Sequence, residues 1–171
     1  MNPAVKYPLK ELLRCALRGD YTQLQLAELF RLCYAIARQS VRRKIFAHGL
    51  HPNIIGHSEG DLVLDCIAEL FRRDEQNVLV EFAKYFDYQN IQIEGEAEEM
   101  LLIHLRRLTF TAVSDNLFRI YNEADPILGK ILRNVKIAVD KSTKFRLEKH
   151  FDDQYIVITT CDQLAHRSSM S

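Results

Sequence analysis

The sequence is poor in glycine and proline, with six glycines and four prolines among its 171 residues. This composition disfavours a turn-rich β-sandwich and favours long regular elements. Hydrophobic residues make up 47% and charged residues 27%, which is ordinary for a globular protein and excludes a disordered chain. A chain of this length buries about 70% of the surface that its unfolded form exposes, so a core needs neither a metal nor a disulfide.

Long apolar runs and Cys-x-x-Cys pairs are also missing. The longest stretch without Asp, Glu, Lys or Arg covers residues 45–58, and its histidines, proline and glycines make it unlike a membrane span. No apolar run of signal-peptide length follows Met1. We therefore expect a cytoplasmic protein with no membrane partner and with reduced thiols. The four cysteines are Cys15, Cys33, Cys66 and Cys161.

Apolar residues recur at helical spacing through most of the chain. Thr22 and Gln25 form a T-x-x-Q capping box, Ser58 is an N-cap before acidic residues, and Asp125 with Pro126 marks a third helix start. The predicted helices cover residues 8–18, with Gly19 just past the end, and residues 22–46, 58–71, 76–86, 96–122 and 126–140.

The hydrophobic period then changes from 3.6 to 2, which predicts a β-hairpin. Its strands are residues 145–151 and 155–159, joined by a turn at Asp152 and Asp153. An isolated hairpin is marginal in water, so it packs on the helices, pairs with a partner or belongs to a larger unit. We predict a mainly α fold, with a helical bundle domain over residues 1–142 and a hairpin with a C-terminal tail over residues 143–171.

The formal net charge is zero, but the charges are segregated along the chain. The net charge is +6 for residues 1–58, −9 for residues 59–99, zero for residues 100–129 and +3 for residues 130–171. Two interpretations follow. Folding brings the acidic middle against the basic ends, or the protein presents a basic face to phosphates and an acidic face to a protein partner.

Motifs of known catalytic or phosphate-binding sites are absent, including glycine-rich phosphate loops, nucleophile elbows and the H-E-x-x-H metal motif. His48, His51 and His57 fall in one loop ahead of Asp61, but their spacing matches no standard zinc pattern. We interpret them as solvated loop histidines and expect no metal, no cofactor and no enzymatic activity. An enzyme would need a pocket that joins this loop to the carboxylates beyond it.

Charged side chains concentrate at three places on the predicted helices. Asp61, Asp65 and Glu69 recur every four residues, which places three carboxylates on one helical face, either solvated or turned to a basic partner. A basic helix end, which complements the helix dipole, consists of Arg38, Arg42, Arg43 and Lys44.

The last predicted helix has one basic and one apolar side. The basic side holds Lys130, Arg133 and Lys136, and the apolar side holds Ile127, Ile131, Val135 and Ala138. This pattern is typical of a helix that docks on a core and offers charge to phosphates, and also of any surface helix.

Three segments resemble the core helices of region two in bacterial sigma factors of the extracytoplasmic-function type. Leu29–Arg38 with Val41–Lys44 resembles the first helix, and Ser58–Phe71 resembles the second. Leu105–Leu108 and Asn116–Arg119 are similar to parts of the third. The resemblance implies a sigma-like helical bundle without catalytic activity.

In that family the second helix docks on RNA polymerase, and the third contacts and helps to melt promoter DNA. The resemblance therefore implies partner-binding residues at Asp61, Asp65, Glu69 and Arg72. It implies nucleic-acid-binding residues at Arg106, Arg107, Arg119, Lys130, Arg133 and Lys136. The alternative hypothesis is a helical adaptor whose hairpin, Phe145–Thr159, adds its edge to the sheet of a partner protein.

Overall fold

The computed structural model describes residues 7–48, 58–124, 126–150 and 153–159. Within these residues the chain is mainly α-helical and ends in a two-stranded antiparallel hairpin, which confirms the predicted fold class. The helices are α1 (Leu9–Arg18), α2 (Gln23–His48), α3 (Glu59–Ile67), α4 (Val80–Tyr88), α5 (Glu98–Ala124) and α6 (Pro126–Asp140). The strands are β1 (Phe145–His150) and β2 (Asp153–Ile158), and two 3₁₀ turns cover Ala68–Phe71 and Ile93–Gly95.

The chain divides into two compact units, an N-terminal unit of Met1–Ile120 and a C-terminal unit of Tyr121–Ser171. The N-terminal unit contains α1 to α4 and most of α5, and the C-terminal unit contains α6 and the hairpin. The domain boundary between residues 142 and 143 stays a prediction.

Local contacts set the helix boundaries that the sequence predicts. Gly19 ends α1 in the left-handed conformation, with φ of 75°. Ahead of α2, the backbone N–H of Thr22 donates to Oε1 of Gln25 at 2.8 Å, and the N–H of Gln25 donates back to the threonine hydroxyl at 3.2 Å. Ser58 and Asp61 form the same reciprocal arrangement at the start of α3.

The predicted helix over residues 76–86 begins late, because α4 starts only at Val80. The Asp74 carboxylate accepts two backbone hydrogen bonds of 2.9 Å from the following residues, which holds them in a turn. The backbone N–H of Leu79 donates to the carbonyl of Ala16 in α1 at 3.1 Å. A side-chain turn and a tertiary hydrogen bond therefore replace the first predicted helical turn.

The core of the N-terminal unit follows the predicted apolar stripes. On α2 the buried positions recur every four residues at Leu29, Cys33, Ala37 and Val41. On α3 the buried apolar residues are Leu62, Val63, Cys66 and Ile67, and α5 contributes Leu101, Leu105, Leu108, Val113 and Leu117. Phe118, which belongs to the apolar pattern in the sequence, is half exposed instead.

Large apolar side chains of α6 are exposed among those that the structure describes. Ile127 is 72% exposed, Ile131 is 52% exposed and Val135 is 40% exposed. Among the α6 side chains that the structure describes, Val139 is the buried one. The sequence pattern therefore indicates the helix correctly, and of its two interpretations these exposures favour a surface helix.

The hairpin has one mainly apolar exposed face. Phe145 pairs with Ile158, and Leu147 pairs with Ile156, so these four side chains share one face. Three of them are exposed, whereas Val157 on the opposite face is buried. The predicted turn residue Asp152 lies outside the described residues.

Candidate functional site

The basic end of α2 is partly neutralised by Glu59 at the start of α3. Nε of Arg38 lies 3.0 Å from Oε1 of Glu59, and Nε of Arg42 lies 2.8 Å from the same oxygen. The hydrogen bond from Arg38, assisted by the one from Arg42, holds the pKa of the Glu59 carboxyl below its ordinary value. For these two arginines, folding therefore brings acidic and basic segments together, as one of the two charge interpretations expects.

The remaining cations of this helix end have different surroundings. The Arg43 guanidinium lies over the ring of Phe110, 5.8 Å from its centroid, and Lys44 is buried. The four basic residues that the sequence groups together thus do not form one solvated patch.

The predicted partner-binding residues divide into separate roles. The Asp61 carboxylate accepts hydrogen bonds from the hydroxyl of Ser58 at 2.6 Å and from its N–H at 3.3 Å, so it caps α3. Asp65 is exposed one turn later on the same helix. Glu69 lies in the 3₁₀ turn that follows α3, which breaks the expected single helical face of three carboxylates. Its Oε1 lies 2.6 Å from Nε of Arg72.

Arg72 is shared between two carboxylates. In addition to Glu69, its guanidinium contacts Glu81 of α4 at 3.1 Å, and Lys84 contacts the same Glu81 oxygen at 2.7 Å. These hydrogen bonds lower the pKa of the Glu81 carboxyl, the one from Lys84 most. The network joins the 3₁₀ turn to α4.

Two of the predicted nucleic-acid-binding residues of α5 present their charge to solvent. Arg106 and Arg107 are exposed, and neither forms an ion pair or a hydrogen bond in the described part of the chain. Arg119 is exposed too, but its Nη2 donates to Oδ1 of Asn116 at 3.1 Å. Asn116 in turn donates to the carbonyl of Cys66 at 3.0 Å, so Arg119 extends a structural contact between α5 and α3.

The predicted basic residues of α6 are exposed without exception. Lys130, Arg133 and Lys136 recur every three residues, and none has an acidic partner within the residues that the structure describes. Positive charge on this helix is therefore available to an external anion, unlike the charge of Arg38 and Arg42.

A cleft of about 290 Å³ lies between α2 and α5. It is lined by Gln39, Ser40, Arg43, Arg106 and Phe110. The serine is 1% exposed, and its hydroxyl has no hydrogen-bond partner. Sequence reasoning names Arg106 but misses the cleft. Its one signal is Ser40, a polar residue beside the apolar stripe of α2.

The described cysteines are unsuited to nucleophilic chemistry. Cys33 and Cys66 are buried free thiols, and burial raises the pKa of each to about 12, which disfavours the thiolate at neutral pH. Cys15 is half-buried, and its pKa is raised by burial and by Asp20. Cys161 lies outside the described residues.

The proposed histidine loop cannot be placed, because His51, His57 and the side chain of His48 lie outside the described residues. Elsewhere in the described ranges, no group of three or more His, Cys, Asp or Glu side chains is arranged to hold a metal ion. The same part of the chain contains no helix with the length and apolar character of a membrane span.

Comparison of the chain with protein-family models, curated proteins and solved structures finds no match. A functional proposal therefore depends on the side chains described above and on the sequence resemblance.

Proposed function

We propose that this protein is a non-catalytic, sigma-like binding protein that contacts the phosphates of nucleic acid through exposed basic side chains of α5 and α6. The observation that carries the proposal is the absence of acidic partners, in the described part of the chain, for five exposed cations. They are Arg106, Arg107, Lys130, Arg133 and Lys136.

The arginines of α2 differ from these cations because an acidic side chain already contacts them. Arg38 and Arg42 already share the Glu59 carboxylate, so a phosphate would have to replace an existing ion pair. The cations of α5 and α6 need no such exchange, and the release of counterions from nucleic acid favours their binding.

The transcription-associated role follows from the resemblance to sigma region two. In that role RNA polymerase is the protein partner, contacted through Asp61, Asp65, Glu69 and Arg72, and promoter DNA is the nucleic acid. The high pKa values of the buried Cys33 and Cys66 thiols support a binding protein over a thiol enzyme.

Fluorescence anisotropy with labelled promoter-like DNA tests the proposal. We expect salt-sensitive binding, weakened about tenfold at low salt by the double substitution Arg133→Gln and Lys136→Gln, with a salt slope reduced by about 2. Arg42→Gln is the control, because it removes an arginine that already contacts the Glu59 carboxylate. Absence of binding at low salt, or equal weakening by Arg42→Gln, would contradict the proposal.

A second candidate function is that of a protein-interaction module. It is favoured by the exposed apolar hairpin face of Phe145, Ile156 and Ile158, and by the two open edges of a sheet that has only two strands in the described residues.

A pull-down from the native lysate separates the two candidates when wild type is compared with Ile156→Lys. Recovery of RNA polymerase subunits by both proteins supports the first candidate. Recovery of another protein by wild type and its loss with Ile156→Lys supports the second.

A further inference from the structure

Few apolar side chains are buried among the described residues of the C-terminal unit, Tyr121–Ser171. Those that are buried are Tyr121, Val139 and Val157. Only the last of them belongs to the hairpin. A sheet of two strands is marginally stable in water, and further strands on its edge are one way in which such a sheet becomes stable. The hairpin therefore gains stability from pairing with an additional strand.

The hairpin leaves one set of backbone groups on the outer edge of β2. In an antiparallel pair, alternate residues direct their N–H and C=O groups to the neighbouring strand or away from it. The N–H of Thr159 donates to the carbonyl of Lys144 at 2.9 Å, so Thr159 is directed to β1. Ile156 and Ile158 lie an odd number of positions from Thr159 along the same register. Their backbone N–H and C=O groups are therefore directed away from β1, to the open edge.

The edge of β2 lacks the features that usually prevent pairing with another strand, which are charged side chains, prolines and bulges. Residues 154–159 contain no charge and no proline, are mainly β-branched or aromatic, and keep a continuous register with β1. In contrast, β1 contains Arg146 and Glu148 and contacts α6. At its start the N–H of Phe145 already donates to the Ser142 hydroxyl at 3.3 Å. The β2 edge is thus the better of the two for pairing.

The open edge of β2 is complementary to a second copy of itself. An antiparallel pairing centred on Ile156 places this residue opposite its own copy and Ile158 opposite Gln154. All of these residues direct their backbone groups outward, so each N–H meets a C=O. Tyr155 then lies opposite Val157 of the other copy, and the uncharged strand brings no like charges together. A two-fold interface uses the same surface on both copies, so one chain contains all of it.

We propose that the chain forms a two-fold dimer in which β2 pairs with β2 of a second copy and extends the two-stranded sheet to four strands. Each copy offers one such edge, so the assembly closes at two. Tyr155, Ile156 and Ile158 are 46%, 50% and 52% exposed, and the pairing removes part of this apolar surface from water. The proposal is independent of nucleic-acid binding, and it names the partner that the second candidate function leaves open.

Sedimentation velocity of the full chain measures the oligomeric state. Concentrations up to about 0.1 mM are needed, because a contact between two strands is small and associates weakly. We expect a concentration-dependent species of twice the monomer mass. Ile156→Pro removes the outward N–H in both copies but no hydrogen bond between β1 and β2. It should raise the dissociation constant of the dimer by about tenfold or more.

Leu147→Pro is the matched control. Leu147 lies directly opposite Ile156 and shares its face of the sheet, but its N–H is directed to the other edge. The variant therefore makes the same chemical change on β1 and should leave the dissociation constant unchanged. Any general weakening of the hairpin by proline affects both variants, so the difference between them reports on the β2 edge.

Opposite charges test the contact at the two-fold axis without proline. Ile156→Lys and Ile156→Glu each place two like charges opposite one another, so each variant alone should be monomeric. An equimolar mixture should form dimers, because a positive side chain of one copy then meets a negative side chain of the other. A variant that has lost its fold would not be rescued in this way.

The proposal is overturned if wild type stays monomeric over this concentration range or forms open-ended larger species instead of a dimer. It is also overturned if Leu147→Pro weakens association as much as Ile156→Pro, or if the mixture of charge variants stays monomeric. A monomeric chain whose hairpin recovers another protein from the lysate overturns it too and supports the second candidate function. The DNA anisotropy experiment is decided separately, so the nucleic-acid proposal does not fail with this one.

Discussion

Two helices with similar apolar stripes, α2 and α6, have opposite surroundings. On α2 the stripe at Leu29, Cys33, Ala37 and Val41 is buried. On α6 the stripe that begins at Ile127 is exposed along much of its length. The comparison shows that an amphipathic pattern specifies a helix and its apolar side, but not whether that side is covered.

The charged residues of α2 and α6 differ in the same way. Arg38 and Arg42 of the N-terminal unit meet Glu59, whereas Lys130, Arg133 and Lys136 of the C-terminal unit meet no acid in the described residues. Within the N-terminal unit, α2 thus has its apolar stripe buried and two of its arginines paired. The C-terminal unit presents both kinds of surface to solvent, which is expected of a unit that binds something else.

The largest expected difference between the two units is in stability. It concerns the free energy of unfolding that is lost when one apolar side chain is truncated in each unit. Phe82 of α4 is completely buried and packs against Phe71 with ring centroids 6.1 Å apart. Phe82→Ala should lower the free energy of unfolding by about 3–5 kcal/mol, through lost burial and a cavity. Ile131→Ala should change it by less than about 0.5 kcal/mol, because this side chain is half exposed.

Urea unfolding of the full chain, followed by circular dichroism, measures both values. A loss with Ile131→Ala as large as that with Phe82→Ala would break the comparison, since it would mean that the α6 stripe is covered in solution.

Features that depend on a few neighbouring residues could be predicted from the sequence. The capping box at Thr22, the N-cap at Ser58, the end of α1 at Gly19 and the change of period before β1 depend on local hydrogen bonds or on side-chain alternation. Their partners lie within a few residues, so the sequence contains the whole interaction.

Features that depend on contacts between residues far apart in the sequence could not be predicted. The late start of α4 requires the hydrogen bond from Leu79 to Ala16, and the cleft requires α2 and α5 to bring Ser40 near Arg106. From the charge pattern, the sequence left two interpretations open. Only one of them expected acidic and basic segments to meet, as Glu59 and the two arginines do. No local pattern specifies which distant elements meet.

A smaller effect is expected from adding a methyl group to one glycine in each unit. Gly19 has φ of 75°, and a Cβ there would collide with the backbone carbonyl oxygen of Gln76. Gly19→Ala should therefore lower the free energy of unfolding by about 2 kcal/mol, from the left-handed conformation together with the collision.

Gly129 of α6 is the counterpart in the C-terminal unit. A Cβ there would meet the Asn122 side chain and not the backbone, and alanine is the better helix former by about 1 kcal/mol. Gly129→Ala should leave stability unchanged or raise it slightly in the same urea experiment. A large loss would show that α6 is as tightly constrained as the end of α1.

The smallest expected effect on stability comes from Glu59→Gln. This substitution tests the comparison of charged residues. The lowered pKa of Glu59 means that the folded state binds this proton less readily than the unfolded state. Its contribution to stability is therefore complete above the ordinary pKa near 4.5 and is lost as the pH falls through the folded value. The difference in stability between wild type and Glu59→Gln should accordingly be present at neutral pH and shrink in acid.

Glu75→Gln is the control for this measurement, because Glu75 is exposed and forms no ion pair within the described residues. It should show no comparable pH-dependent difference. Glu59→Gln should also release Arg38 and Arg42, so DNA affinity rises at low salt and becomes sensitive to Arg42→Gln. If affinity does not rise, the orientation of the α2 arginines, and not their neutralisation, distinguishes the two basic regions.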